Sequence, residues 1–111
     1  MISSKDRSHL RSLANEMQTI FQVGKGGLTE NVIRQYDEAL TARGLVKSSV
    51  QKNAEETPSK FCSMIADATN ADIVQVIGRK FVLYRHTEDH KSIYDDPRLD
   101  GRAFEARSKK L

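Results

Sequence analysis

Four consecutive residues, Gly24-Lys25-Gly26-Gly27, are the segment best suited to meeting an anion. They stand between a short apolar run and a helical pattern, where backbone N–H groups and a helix N-terminus can face a phosphate. The missing side chains let a phosphate approach the backbone, and Lys25 adds a positive charge. The segment is not a nucleotide-binding P-loop, which needs an earlier glycine and a Ser or Thr directly after the lysine; here Gly26 follows Lys25. It does have the G-x-x-G form with which some RNA-binding folds clamp a sugar-phosphate backbone. The same residues also suit a plain strand-to-helix turn that needs positive φ.

Other residues offer charge or metal-ligand chemistry. Arg7, Arg11, Lys25, Arg34, Lys47, Arg79, Lys80 and Arg85 form a basic patch only if the fold brings several of them to one face; otherwise each is ordinary solvated surface. His86 and His90 have an H-x3-H spacing, but only His9 and Cys62 are left to complete a zinc site, so no metal is expected. The run HTEDH is not the H-E-x-x-H of a metalloprotease. Cys62, at the edge of an apolar stripe, reads as a half-buried structural thiol with no histidine beside it. Glu55-Glu56 and Asp95-Asp96 read as solubilising charges. No catalytic constellation, cofactor site or small-molecule pocket is indicated, and the chain is expected not to be an enzyme.

The elements that must position these residues follow from apolar spacing and caps. Ser3 or Ser4 starts a helix whose stripe is Leu10, Leu13, Ala14 and Met17. Ile20–Val23 is a strand ending at the glycine-rich segment. Thr29 caps a second helix with Val32, Ile33, Tyr36, Ala39 and Leu40 buried, and Gly44 stops it. Leu45–Val50 is a strand. Thr57-Pro58 opens a third helix that buries Phe61, Met64, Ile65 and Ala68 and stops near Asn70. Ile73–Ile77 and Phe81–Tyr84 are strands joined by a two-residue Gly78-Arg79 turn. The order α-β-α-β-α-β-β predicts an α/β fold: a small mixed four-stranded sheet with packed helices. The first two strands are parallel through a right-handed crossover and the last two form an antiparallel hairpin.

Length and charge set the frame. A chain of 111 residues holds one domain and an appendage. The net charge of +3 lies wholly in residues 1–85, because 86–111 hold as many acids as bases. Residues 91–111 are charged and aperiodic and are expected to be a flexible C-terminal tail, with a transient helix around 103–110, beside a domain over 1–90. No apolar run is long enough to span a membrane, no signal peptide is visible, and one cysteine suits a reducing cytoplasm.

The stretches LRSLANEMQTIFQVGKGGLTENVIRQYDEAL, LVKSSVQ and ADIVQVIGRKFVLYR together resemble the YhbY-like bacterial branch of the CRM (chloroplast RNA splicing and ribosome maturation) family, over roughly residues 5–90. The second strand, with Ser48-Ser49, is less apolar than the family pattern. The resemblance implies a fold similar to the C-terminal domain of translation initiation factor three. It also implies a monomeric cytoplasmic protein that binds ribosomal precursor RNA and assists large-subunit assembly on pre-large-subunit particles. The RNA-binding residues expected are Gly24, Lys25, Gly26 and Gly27, with Arg7, Arg11, Arg34, Lys80 and Arg85. Affinity should be mainly electrostatic; Phe21 and Phe81 belong to the core, and Tyr84 is the aromatic most available to a base. The rival is a protein–protein adaptor docking on a ribosomal protein.

Overall fold

The computed structural model describes residues 2–87 and 92–99. Helix α1 (Ser4–Asn15) opens with a capping box: the Ser3 hydroxyl accepts from the Asp6 amide at 3.0 Å, and the Asp6 carboxylate accepts from the Ser3 amide. Strand β1 (Phe21–Val23) leads through the glycine-rich loop to helix α2 (Glu30–Arg43), which is capped by Thr29. Gly44 ends α2 at φ 74°, in the left-handed region that favours glycine. Strand β2 (Leu45–Val50), helix α3 (Pro58–Thr69), and strands β3 (Asp72–Ile77) and β4 (Lys80–Tyr84) follow. Gly78 makes the hairpin turn at φ 57°.

The sheet order is β1-β2-β4-β3, with β1 parallel to β2 and β4 antiparallel to both of its neighbours. The β3–β4 hairpin therefore inserts its second strand beside β2 and leaves β3 at an edge. Side-chain alternation splits the core in two. On one face α2 and α3 bury Tyr36, Leu40, Phe61, Cys62 and Ile65 against Val46, Val50, Phe81 and Leu83. On the other, α1 buries Leu10 and Ala14 against Leu45, Val74, Val82 and Tyr84. Ser48, the polar intruder in β2, is fully buried; its hydroxyl is bonded to the Tyr36 hydroxyl and donates to the Phe21 carbonyl. Met64, expected in the core, is 42% exposed, because the buried stripe of α3 runs through Phe61, Cys62, Ile65, Ala66 and Thr69.

The expected boundary at residue 90 does not match the packing. Residues 92–99 form two short 3-10 turns, Ile93–Asp95 and Pro97–Leu99, that lie on the α1 side of the sheet with Ile93 and Leu99 buried. Asp96 and Arg98 form a buried ion pair at 2.7 Å. Arg98 also donates to the carbonyls of Leu40 (2.9 Å) and Arg85 (2.8 Å), and Asp96 accepts from the Tyr84 hydroxyl at 3.0 Å. A segment without periodicity is thus held by two apolar anchors and one charge pair, with Asp96 buried rather than solubilising. The helix expected around 103–110 lies outside the described residues.

Candidate nucleic-acid interface

Both β1 and β2 end at the same edge of the molecule, and α2 and α3 each start there. The glycine-rich loop leaves β1 at this end. The Gly27 amide donates to the Gly24 carbonyl at 3.1 Å, which closes a tight turn, and Gly27 takes φ 66°. The amides of Lys25 and Gly26 have no backbone partner among the described residues. Lys25 is exposed and Gly26 has open space around it. The Thr29 cap binds the Val32 amide at 3.1 Å and leaves the first turn of α2 just beyond the loop. A loop with unclaimed amides, a lysine and a helix N-terminus beside it has the donors an anionic group requires.

The neighbours of the loop are set by sheet register. The Gln51 amide donates to the Val23 carbonyl (2.9 Å) and its side chain donates to Gln22 (3.2 Å). A Cβ on Gly24 would lie 2.5 Å from the Gln51 side-chain oxygen, so glycine is what lets Gln51 close over the loop. Arg79, from the hairpin turn, donates to the Val50 carbonyl at 2.9 Å and to the Gln51 carbonyl, tying the hairpin to this end of β2. Lys52 and Lys80 are exposed at the same end. Glu30, Glu55 and Glu56 are exposed there too and interrupt the positive surface on the side of the helix starts.

The expected basic residues do not form one patch. Gly24, Lys25, Gly26, Gly27 and Lys80 lie at the loop end. Arg34 is exposed on α2, more than one turn past the cap. Arg7 and Arg11 are on α1, across the sheet, and Arg7 donates to the Ile73 carbonyl at 3.3 Å. Ile73 lies at the start of edge strand β3, so Arg7 sits roughly 20 Å from the loop, counted over three strand spacings and four residues of strand. Arg85 is at the far end of β4 with its guanidinium turned inward: it pairs with Asp37 at 2.5 Å and donates to the Thr41 hydroxyl and the Thr69 carbonyl. Lys47 is also used internally, donating to the carbonyls of Ala14 (3.1 Å) and Met17 (3.4 Å) at the end of α1, where a positive charge offsets the helix dipole.

Two further expectations are corrected by burial. Tyr84 has no exposed surface, and burial together with its bond to Asp96 pushes its hydroxyl pKa up, so it cannot meet a base. Cys62 is fully buried rather than half-buried, and burial pushes its thiol up to about 12, which keeps it protonated and unreactive. Among the described residues no three His, Cys, Asp or Glu side chains form a metal-binding group, and His90 lies outside them. No helix among them is long and apolar enough to cross a membrane. Gln22 and Ser49 come to the loop end only through β-sheet register, Gln51 through its bonds to Val23 and Gln22, and Lys52 follows it in the chain; no local pattern in the sequence marks them.

A three-helix α/β domain that presents a glycine-rich turn between its first strand and second helix defines a small class of single-sheet modules. The model of the CRS1/YhbY (CRM) domain matches residues 2–85, and the chain belongs to that family. It is 41% identical over 93 residues to the probable RNA-binding protein YqeI of Bacillus subtilis, covering 84% of this chain and 97% of that one. It is 34% identical over 90 residues to an RNA-binding protein of Haemophilus influenzae, covering 81% and 91%. The solution structure of the Staphylococcus aureus protein SAV1595 superposes with a TM-score of 0.68 at 40% identity, covering 82% of this chain and 95% of the other.

Proposed function

We propose that this protein is a non-enzymatic RNA-binding module that holds RNA by its sugar-phosphate backbone at the Gly24–Gly27 loop, with Lys25, Lys80 and Lys52 extending the contact. The observation that carries the reading is the loop itself: unclaimed amides of Lys25 and Gly26 beside an exposed lysine at the head of α2. The names of the similar proteins support RNA as the ligand. Arg85 is left out of the contact because its guanidinium is occupied inside the fold, and Arg7 and Arg11 belong to a separate surface.

The family resemblance supports the finer reading. The RNA is ribosomal precursor RNA, and the protein acts as a cytoplasmic monomer in large-subunit assembly. Sedimentation of the tagged protein with pre-large-subunit particles, before and after ribonuclease, tests it. Co-sedimentation that ribonuclease abolishes is the expected result; co-sedimentation that survives it would mean docking on a ribosomal protein. In an RNA titration, neutralising about four phosphates on flexible RNA gives a slope of log K against log salt of roughly −3. A slope near zero would remove the electrostatic mechanism.

A further inference from the structure

Among the described residues, the sheet face under α1 is not covered to its end. Its residues fall in three rows across the strands. Leu45, Tyr84 and Asp72 form one row; Lys47, Val82 and Gln75, with Val74 in the bulge before it, form the next; Gln22, Ser49, Lys80 and Ile77 form the last, with one residue from each strand in the order β1-β2-β4-β3. Helix α1 and residues 92–99 pack over the first two rows, through Leu45, Val82 and Tyr84. The last row belongs to neither buried cluster: Gln22 and Lys80 are exposed, Ser49 is half-buried, and Ile77 is the most exposed large apolar side chain among the described residues, at 61%.

This row is a ledge about 14 Å wide, three strand spacings. It runs from the glycine-rich loop at its β1 end to the hairpin turn at its β3 end. It carries one amide, one hydroxyl, one ammonium and one apolar side chain, and Gln51 joins it beside Gln22. A single exposed isoleucine is common on a strand, but beside an amide, a hydroxyl and an ammonium Ile77 completes a flat surface, apolar at one end and polar along the rest, that suits the face and edges of an unpaired base.

We propose that the ledge is the base-contacting surface of this protein. Unpaired nucleotides lie across Gln22, Ser49, Lys80 and Ile77, and the loop holds the adjoining phosphate. The inference rests on the RNA-binding reading above and adds to it the class of RNA: single-stranded segments rather than continuous duplex. Lys80 on the ledge and the exposed Lys25 in the loop supply charge complementarity to the strand, and the ledge reaches the loop through Gln22 on β1.

The test compares a single-stranded RNA oligonucleotide with a fully paired RNA duplex, each titrated over a range of salt with wild type, Ile77→Ala, Ile77→Phe and Lys25→Ala. The wild type should prefer the single strand. Ile77→Ala should weaken single-strand binding about fivefold, leave duplex binding within twofold, and leave the salt slope unchanged, because no phosphate contact is lost. Ile77→Phe, which enlarges the stacking surface, should tighten single-strand binding. Lys25→Ala should weaken both and reduce the single-strand slope by about 0.7. If Ile77→Ala and Ile77→Phe both bind the single strand within twofold of wild type while Lys25→Ala weakens it, the ledge is overturned and the loop contact stands. If the wild type binds neither RNA, the RNA-binding reading falls and the ledge with it.

Discussion

Replacing Asp96 by alanine should destabilise the domain more than any other single change among residues 92–99. The Asp96 side chain has no exposed surface and its carboxylate accepts from Arg98 Nη2 at 2.7 Å, Arg98 Nε at 3.0 Å, the Arg98 amide at 2.9 Å and the Tyr84 hydroxyl at 3.0 Å. Without it the Arg98 guanidinium, 11% exposed, keeps its charge in a nearly dry site. Removing one member of a buried pair costs about 3–5 kcal/mol. Arg98 retains the Leu40 and Arg85 carbonyls, so the lower end applies, about 3 kcal/mol. At about 4–8 °C per kcal/mol for a domain of this size, the melting temperature should fall by about 12–24 °C. Thermal and urea unfolding followed by circular dichroism measure it. The double variant Asp96→Ala/Arg98→Met, which removes the stranded charge and keeps the volume, should recover at least about 1 kcal/mol. A loss below about 1 kcal/mol in Asp96→Ala would show that the ion pair is not what holds residues 92–99 down.

Four further outcomes are expected. Deleting residues 92–111 uncovers Leu10, Val74, Val82 and Tyr84, and should lower the melting temperature by more than about 5 °C. Gly44→Ala should cost about 1–3 kcal/mol in urea unfolding, since φ is 74° and the new Cβ would sit 3.0 Å from the Arg98 guanidinium carbon. Burial alone would raise the Asp96 carboxyl, but hydrogen bonds from Arg98 and Tyr84 and the Arg98 charge hold it below the usual range; its stabilisation is therefore present above about pH 4 and lost as pH falls through the lower folded value. The stability gap between wild type and Asp96→Asn, measured by urea unfolding from pH 6 to 2, should shrink only below about pH 4. Lys25→Glu should weaken RNA binding about tenfold with a stability change of about 0.5 kcal/mol or less, because an exposed turn lysine contributes little to packing; unchanged affinity in a well-folded variant would make the loop a turn only.

Local signals in the sequence were enough for the elements. Ser3, Thr29 and Thr57-Pro58 cap the three helices as their side-chain chemistry requires, Gly44 and Asn70 end two of them in the left-handed region, and Gly78 turns the hairpin. Each of these depends on contacts within about four residues, which a linear reading can see. The same holds for the glycine-rich loop, whose place between β1 and α2 follows from the elements on either side.

Long-range register was decided by the tertiary structure alone. Only the insertion of β4 beside β2 brings Lys80 into line with Gln22, Ser49 and Ile77 and lays Arg79 over the end of β2. Only the fold shows that Lys47 donates to the carbonyls at the end of α1, that Arg85 is paired with Asp37, and that Arg7 stands far from the loop. A lysine or arginine has the same local signature whether it faces solvent or a carbonyl across the sheet. Residues 92–99 have no period to read, because Ile93 and Leu99 pack on α1 and the sheet, Arg98 reaches Leu40 58 residues away, and Asp96 is held by Arg98 and by Tyr84, 12 residues before it. The three helices and four strands were therefore legible from one dimension, and the two short turns of residues 92–99 were not. Which charges stay free for a ligand depends on desolvation and pairing between distant segments, and that exists only in the folded chain.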